Sequence, residues 1–431
     1  MKVCFFTLGC KVNQQETAAM MNIFKGNGWE VVPDAEFADA YIVNSCTVTL
    51  SGDKKSLQWI RRAKKRNPNS VVVLCGCMPQ AFPEKAAAVS GADIVIGSKG
   101  KAEVYSLVCQ FLQDKQRLVK IAPHMKDDKF EDISFGADST HTRAFLKIED
   151  GCNRHCAYCI IPTARGRVRS ASVESIVAQA REMAQAGHRE IVLTGVNISC
   201  YGQDIGCDVC DVIEAVADIP LVERIRLGSL ELDLFTDQML VRMSKVAKFC
   251  PYFHLSLQSG CDATLAAMHR LYDTGLYTQM MTRLRELFHR PTFTTDIIVG
   301  FPTESEQDFL QSVAFVQRCD FLKVHTFTFS PREGTAAFDM EQQIPDEIKH
   351  ERNKIMSFKS DSTRQKIMDS FVGFVDTVLL EQRNKEGFFT GYTTRYIPVL
   401  IKDDGTLHSG DIVKVTLTET IGQRMSAVVT A

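Results

Sequence analysis

Residues 145–167 read FLKIEDGCNRHCAYCIIPTARGR, and this stretch determines the fold and chemistry expected of the chain. A strand-like apolar run leads into a loop that holds Cys152, Cys156 and Cys159 at the spacing C-x3-C-x2-C. Three thiolates at this spacing can bind three irons of a cubane iron-sulfur cluster, and the fourth iron then stays open to a small molecule. The stretch therefore predicts a reactive cluster at the end of a strand, where β/α barrels place their active sites.

The bulk composition is that of a globular protein with several domains. The chain has 431 residues, 45% of them hydrophobic and 24% charged, and its net charge is −2. No apolar run approaches the roughly 20 residues needed to cross a bilayer, and the amino terminus lacks a signal-peptide pattern, so we expect a cytoplasmic protein without membrane partners. Fifteen cysteines in such a chain indicate metal binding rather than disulfides. RNA binding would need local basic patches, such as residues 61–66 or 165–169.

The first hundred residues alternate between short apolar runs and helical patterns. Runs at 3–8, 40–43, 71–74 and 94–96 predict a parallel, Rossmann-like sheet with helices on both faces. Cys10, Cys46 and Cys77 each follow one of these runs, and the carboxyl ends of parallel strands share one edge. The sequence thus predicts a second three-cysteine site there. The alternative is that these cysteines are small buried core residues, as Cys4 and Cys75 inside the runs are expected to be.

The rest of the chain divides into a linker and two further domains. The charged stretch at 119–141 has no sustained periodicity and is interpreted as a linker after a first domain at 1–118. Six strand and five helix patterns between 142 and 366 predict an incomplete (β/α)6 barrel. Five short strand candidates at 367–431 predict a small β-barrel. The expected class is therefore α/β with an appended all-β domain.

Several motifs resemble one family. The loop with Cys152, Cys156 and Cys159 is similar to that of the radical S-adenosylmethionine (SAM) superfamily. TLGCKVNQQET at 7–17, VNSCTVT at 43–49 and CGCMPQ at 75–80 resemble the cysteine motifs of its methylthiotransferases, and the last 65 residues resemble their TRAM domain. GCKVNQ, GCNRHCAYCIIPTARGRVRS and GVNISCYG look most like the MtaB-type branch. The resemblance covers almost the whole chain.

This resemblance implies two 4Fe-4S clusters and SAM as cofactors. An auxiliary cluster would be bound by Cys10, Cys46 and Cys77, and the SAM-cleaving cluster by Cys152, Cys156 and Cys159. The resemblance identifies no catalytic side chain. It implies that SAM contacts the following positions: Tyr158, Thr194, Gly195, Asn197, Glu231, Gln258, Asp296 and Gly300.

The implied activity is addition of a methylthio group to carbon 2 of N6-threonylcarbamoyladenosine at position 37 of tRNA. One SAM would methylate sulfur at the auxiliary cluster, and a second would yield the radical that starts replacement of the unactivated hydrogen. The base would have to be flipped out of the anticodon loop. We expect a monomer that receives electrons from a donor such as flavodoxin or ferredoxin. Neither the tRNAs used nor the sulfur source follows from the sequence.

Alternatives remain at this stage. The substrate could be isopentenyladenosine in tRNA or an aspartate of a ribosomal protein, or the chain could be a non-catalytic iron-sulfur RNA-binding protein. Cys200, Cys207 and Cys210 could ligate a further metal, although ordinary thiols are favoured. We expect no catalytic role for His155 or His254. Four aromatic residues could either stack on bases or pack the small barrel: Phe388, Phe389, Tyr392 and Tyr396.

Overall fold

Buried β-branched runs form a six-stranded parallel sheet in the amino-terminal part of the computed structural model, which describes residues 1–34, 36–133 and 142–430. The strands are β1 (Lys2–Thr7), β2 (Glu30–Val32), β3 (Ala40–Ser45), β4 (Val71–Gly76), β5 (Ile94–Ile96) and β6 (Leu118–Lys120). The helices are α1 (Lys11–Gly26), α2 (Leu50–Arg66), α3 (Cys77–Ala81), α4 (Pro83–Ala87) and α5 (Val104–Asp114). The strand order β2-β1-β3-β4-β5-β6 makes β1, β3 and β4 neighbours.

Helices cover both faces of this sheet, as predicted. Phe5 on one face packs with Phe24 of α1, whereas Val43 on the other face packs with Ile60 of α2. Burying a side chain of this size stabilises the fold by about 1.5–3 kcal/mol. Strands β2 and β6 were not predicted, because each has only three residues, most of them exposed or half-buried. In the predicted linker, residues 121–133 contain no helix or strand, and residues 134–141 lie outside the described residues.

The second part of the chain forms an open parallel barrel. Its strands are β7 (Ala144–Lys147), β10 (Glu190–Thr194), β11 (Arg224–Leu227), β12 (Ser229–Leu230), β13 (Tyr252–Leu255), β14 (Thr292–Val299) and β15 (Lys323–Thr328). Two short strands beside it, β8 (Glu149–Asp150) and β9 (Arg169–Ser170), form a separate antiparallel pair. The helices are α6 (Ile161–Arg165), α7 (Val173–Gln185), α8 (Val209–Ala217), α9 (Asp237–Ser244), α10 (Asp262–Ala267), α11 (Thr274–Leu287), α12 (Glu306–Arg318) and α13 (Asp346–Ser370).

The barrel strands run in the order β7-β10-β11 and then β12-β13-β14-β15, with all of these pairs parallel. An isolated parallel bridge between Ile225 and Phe249 joins the two segments. Within the described residues β7 and β15 do not pair, so the barrel stays open. This confirms the predicted incomplete barrel, and the opening leaves room for the first domain to pack against the strand ends.

The last part of the chain is a closed five-stranded barrel, which confirms the predicted small β-barrel. Its strands are β16 (Val375–Arg383), β17 (Phe388–Thr393), β18 (Pro398–Lys402), β19 (Ile412–Ile421) and β20 (Arg424–Val429), in the order β16-β17-β18-β20-β19. None of the helices that the structure describes is both long and apolar enough to span a lipid bilayer.

The small barrel packs against the amino-terminal ends of the larger barrel's strands. Arg226 on β11 donates from Nη2 to Thr393 O at 2.6 Å and from Nη1 to Thr394 O at 2.8 Å. Arg224 donates from Nη2 to Thr377 Oγ1 at 2.7 Å. Glu190 accepts from Arg226 Nε at 2.8 Å and holds this arginine in place. The cysteine loop lies at the opposite end of the strands, so this contact leaves it free.

Three of the four aromatic residues considered for base stacking pack within the protein, whereas stacking by the half-buried Phe388 stays a prediction. The Tyr396 ring stacks on Tyr392 and Tyr252, with centroids 4.4 Å and 4.6 Å apart. Arg143 lies over both small-barrel tyrosines, and Phe389 is buried in the barrel core. The base-stacking hypothesis is therefore wrong for Phe389, Tyr392 and Tyr396, because their ring faces are already occupied within the protein.

Candidate functional site

Cys152, Cys156 and Cys159, here called the barrel cysteines, occupy the loop between β8 and α6. All three are half-buried. Cys152 N donates to Gly166 O at 3.0 Å, and Ala157 N within the loop donates to Met268 O at 3.0 Å. These backbone hydrogen bonds join the loop to two other parts of the chain and hold it in a defined shape. The three thiols thus face one space, as the sequence predicted.

Gly151 enters this loop at a position that only glycine fits. Its φ is 93°, and a Cβ there would lie 2.0 Å from Arg167 O. We expect Gly151→Ala to lower the free energy of unfolding by about 3 kcal/mol, through left-handed backbone strain and overpacking together. It should also reduce the iron bound after reconstitution, because the loop must shift. Urea unfolding and iron analysis measure the two effects.

Gly187 provides the matched control for this substitution. Its φ of 99° is similar, but a Cβ there would meet nothing within 4 Å. Gly187→Ala should therefore cost only about 1–2 kcal/mol, from backbone strain alone, and should leave the bound iron unchanged. Equal losses of stability and iron in the two variants would contradict the steric argument.

A cavity of about 170 Å³ adjoins the barrel cysteines, all three of which line it. Four of the predicted SAM-contacting residues also line it: Tyr158, Asn197, Glu231 and Gln258. Gln258 has φ 68°, a left-handed conformation that side-chain-bearing residues adopt rarely and mostly at functional sites. The structure thus brings half of the predicted SAM contacts to one cavity beside the cysteines.

The other four predicted contacts are not among the lining residues. Thr194 is buried at the end of β10, and a Cβ at Gly195 would lie 2.5 Å from Glu149 Oε2. Asp296 Oδ2 lies 3.3 Å from His254 Nε2. Gly300 packs against Lys349 of α13, since a Cβ there would come within 2.3 Å of its Cγ. Gly195 and Gly300 therefore have packing reasons to be glycine.

Arg270 belongs to this cavity, although the sequence did not single it out. Its Nη1 donates to Cys156 Sγ at 3.1 Å and to Tyr158 Oη at 3.3 Å, and its other end pairs with Glu231. Burial raises the pKa of Glu231, and Arg270 opposes that effect. The only sequence signal was the stretch HRLY at 269–272, which follows a helix without any metal-binding pattern.

Cys10, Cys46 and Cys77, here called the sheet cysteines, lie just beyond the carboxyl ends of the adjacent strands β1, β3 and β4. Asn13 Oδ1 lies 4.0 Å from both Cys10 Sγ and Cys77 Sγ. Gly9 has φ 105°, and a Cβ there would lie 3.0 Å from Cys46 Sγ. The structure therefore gathers the three cysteines at one point of the sheet edge, as their places after parallel strands predicted.

A buried set of charged side chains from both domains lies beside the sheet cysteines; we call it the arginine network. Arg165 at the end of α6 donates from Nε to Cys77 Sγ at 3.3 Å and pairs with Glu16 of α1. Burial by itself would raise the pKa of Glu16, but neighbouring cations lower it well below its usual value. The network consists of Glu16, Lys101, Lys147, Asp150, Arg165 and Arg169.

This network corrects one prediction about RNA binding. Arg165 and Arg169 were candidates for an exposed basic patch, yet they are only 1% and 7% exposed. Arg167 between them is exposed. The two buried guanidinium groups turn inward because Glu16 and Asp150 offer carboxylates there. Nothing in the local pattern TARGR distinguishes an inward arginine from an outward one.

One thiol in each site has a pKa that burial raises strongly. Burial raises the pKa of Cys46 to about 12 and that of Cys159 to about 12. At neutral pH these sulfurs are therefore protonated, whereas iron binds the thiolate. Loading iron into either site must displace protons, and an arginine beside each site favours the charged sulfur.

The other cysteines and histidines that the structure describes show no comparable arrangement. Cys210 Sγ donates to Met239 O at 3.5 Å, and Cys200 is buried. In the described ranges, no three His, Cys, Asp or Glu side chains are placed to hold a single metal ion. This is compatible with cubane clusters, in which each thiolate binds a different iron and the sulfurs lie further apart.

The side chains around the barrel cysteines fit an iron-sulfur cluster with SAM. Asn197 donates from Nδ2 to Cys152 Sγ at 3.5 Å, and its Oδ1 is buried without a hydrogen-bond partner. The neighbouring Glu149 has one oxygen in the same condition, and burial raises its pKa well above the usual range. A buried acceptor without a partner is costly, so a donor such as the amino group of SAM would satisfy it.

Three family descriptions match consecutive parts of the chain. Residues 2–97 match Uncharacterized protein family UPF0004, residues 146–316 match the Radical SAM superfamily, and residues 369–424 match the TRAM domain. Among solved structures, the radical S-adenosylmethionine methyltransferase TsrM from Kitasatospora setae is similar, with a TM-score of 0.57 and 11% identity. The match covers 95% of this chain and 80% of that one, and it supports the fold.

Curated relatives match over nearly the full length. The Threonylcarbamoyladenosine tRNA methylthiotransferase MtaB of Bacillus subtilis is 35% identical over 421 residues, covering 96% of this chain and 93% of the relative. The protein of the same name from Aquifex aeolicus is also 35% identical, covering 97% and 100%. The tRNA-2-methylthio-N(6)-dimethylallyladenosine synthase of Clostridium tetani is 30% identical, covering 96% and 93%.

Proposed function

The chain belongs to the MtaB-type branch of the radical SAM methylthiotransferases, and from that premise we propose that it adds a methylthio group to carbon 2 of N6-threonylcarbamoyladenosine at position 37 of tRNA. The observation that carries the proposal is the pair of three-cysteine sites, with Arg165 of the helix after the barrel cysteines in contact with Cys77 of the other site. A transfer that needs both a radical and a sulfur donor requires two such sites facing one substrate. The MtaB relatives are 32–35% identical and the dimethylallyladenosine synthases 30–32%, so the second candidate substrate has somewhat less support.

The barrel cysteines would hold the SAM-cleaving cluster, and the cavity beside them would hold SAM. When bound and reduced, the cluster supplies the electron that cleaves SAM to a 5′-deoxyadenosyl radical. Asn197 Oδ1 would accept a hydrogen bond from the SAM amino group, and Tyr158 would lie against the adenine. Arg270 holds Glu231 in one orientation toward the cavity, so the cofactor meets a preformed polar wall.

The sheet cysteines would hold the auxiliary cluster, where the sulfur is supplied. Helix α6 begins two residues after Cys159 and ends at Arg165, whose side chain reaches Cys77. This short rigid segment would keep the two sites at a fixed separation. The target adenine would then have to leave the anticodon loop stack and enter between them. The substrate is RNA, and the TRAM domain is the part of the chain associated with RNA in this family.

We place the electron donor, such as flavodoxin or ferredoxin, near Cys152, which also borders an open groove of about 730 Å³. A donor there could pass an electron without entering the SAM cavity. We further propose a cytoplasmic monomer, because the substrate tRNA is cytoplasmic. The proposed units are a cluster domain at 1–118, a linker at 119–141, the radical SAM domain at 142–366 and the TRAM domain at 367–431.

Mass spectrometry of nucleosides tests the proposed substrate. The anaerobically reconstituted protein is incubated with SAM, a reductant and total tRNA that carries both threonylcarbamoyladenosine and isopentenyladenosine. We expect the methylthio group on the threonylcarbamoyl nucleoside alone. A methylthio group on the isopentenyl nucleoside would support the proposed chemistry and contradict the proposed substrate. No product on either, in a protein that carries both clusters, would point to a ribosomal protein substrate or to a non-catalytic role.

A further inference from the structure

Arg165 is buried at the end of the helix that follows the barrel cysteines, and it contacts a sulfur of the sheet-cysteine site on the other domain. Only 1% of its surface is exposed. Its Nε lies 3.3 Å from Cys77 Sγ, and Nη2 donates to Asn13 Oδ1, which in turn lies 4.0 Å from Cys10 Sγ. The guanidinium plane therefore meets the sheet-cysteine site through one sulfur directly and through a second by way of Asn13.

The arginine network carries more positive than negative charge. Its cations are Lys101, Lys147, Arg165 and Arg169, and its carboxylates are Glu16 and Asp150. A surplus of buried positive charge is unfavourable unless an anion lies against it. A cluster held by thiolates is anionic, and Arg165 contacts the sulfur of Cys77 that would hold it.

We propose that Arg165 is a positioning residue for the auxiliary cluster, which holds the Cys77 sulfur and raises the cluster's reduction potential. This rests on the proposed function, because it assumes that the sheet cysteines bind that cluster. Hydrogen bonds to a ligand sulfur stabilise the cluster state with more negative charge, which is the reduced state. Arg165 also belongs to the helix that follows the barrel cysteines. The position of the Cys77 sulfur therefore depends on the position of that helix.

A redox titration of a chain that carries only the auxiliary cluster tests this role. A chain in which all three barrel cysteines are replaced by alanine serves as the background chain. Its auxiliary cluster is reduced stepwise at known potentials, and electron paramagnetic resonance measures the fraction reduced. Arg165→Lys keeps the charge but loses the planar hydrogen-bonding fork. We expect it to lower the ratio of reduced to oxidised cluster about tenfold at a given potential, a shift of about 59 mV for one electron. Arg165→Gln, which also removes the charge, should lower the reduction potential further.

Arg169→Lys is the matched control. Arg169 is also buried and lies 3.6 Å from Asp150, but it donates to the carbonyl oxygens of Arg165 and Arg167 rather than to a cysteine. The auxiliary cluster of the Arg169→Lys chain should have the same reduction potential as that of the background chain. Equal potentials in the Arg165→Lys and Arg169→Lys chains would overturn the proposal for Arg165 while leaving the proposed function intact.

The background chain separates the two proposals. If it binds no iron, the auxiliary site fails and the proposed function fails with it, before Arg165 is varied. Thermal unfolding of each chain without iron shows whether a variant folds. If the Arg165→Gln chain unfolds because Glu16 and Asp150 lose a partner, the test relies on the reduction potential of the cluster in the Arg165→Lys chain. A folded Arg165→Lys chain that no longer retains the cluster would support the positioning role.

Discussion

Replacing Cys156 with alanine is expected to reduce SAM cleavage to the background rate and to leave the auxiliary cluster in place. Cys156 supplies one of three sulfurs to the SAM-cleaving site, and its thiol receives a hydrogen bond from Arg270. With two sulfurs left, the cluster has no stable attachment at the cavity. Chromatography of 5′-deoxyadenosine measures cleavage, and iron analysis should show about half of the wild-type iron.

Replacing Cys46 with alanine should separate the two activities. SAM cleavage to 5′-deoxyadenosine remains possible, because the barrel cysteines are intact, whereas methylthiolated nucleoside disappears. Cys109→Ala is the control, since Cys109 is half-buried on α5 outside both sites and should leave both measurements unchanged. Methylthiolated product from the Cys46→Ala chain would refute the auxiliary site.

Glu190→Gln is expected to lower the free energy of unfolding by about 3 kcal/mol at pH 7. Glu190 is 1% exposed and lies against Arg143, Arg224 and Arg226, which hold the small barrel. Burial alone would raise its pKa, but Arg226, Arg143 and Arg224 lower it from 4.5 to about 2. A difference of this size between the unfolded and folded pKa corresponds to about 3 kcal/mol.

The direction of the pH dependence follows from the lowered pKa of Glu190. Because the folded pKa lies below the unfolded one, the stabilisation is complete above about pH 4.5 and is lost as the pH falls toward about 2. The difference in stability between wild type and Glu190→Gln should therefore shrink across that window. Other carboxylates titrate in both proteins and cancel in the difference. Urea unfolding followed by circular dichroism at a series of pH values measures it.

Glu306→Gln provides the comparison for Glu190. Glu306 pairs with Arg352 at 3.2 Å but its side chain is 67% exposed, so its loss should cost at most about 1 kcal/mol. If Glu190→Gln proved no more destabilising than Glu306→Gln at pH 7, the ion pairs with Glu190 would not be what holds the small barrel in place.

Local patterns were enough for most of the secondary structure. The runs at 40–43 and 71–74 became β3 and β4 because every residue in them is buried on both faces of a covered sheet. The same reasoning missed β6, whose residues are mostly exposed and pair only at the sheet's edge. The alternation of strands and helices also predicted the open barrel, because parallel strands need helical crossovers between them.

The cysteine sites were predictable for two different reasons. The barrel cysteines lie within eight residues of one another, so their spacing alone describes the site. The sheet cysteines are up to 67 residues apart, but a parallel sheet brings the carboxyl ends of its strands to one edge. The shared position of these cysteines after parallel strands therefore made the site predictable without a local sequence motif.

By itself the sequence determined the order of strands and helices, the two sets of three cysteines and the family, since each depends on local spacing or on the rule that parallel strands end at a common edge. Only the tertiary structure decided which buried charges meet. Arg165 reaches Cys77 across 88 residues, and Arg226 reaches Thr393 across 167. An arginine has the same local pattern whether it faces water or a distant carboxylate, and only packing of the whole chain decides between them.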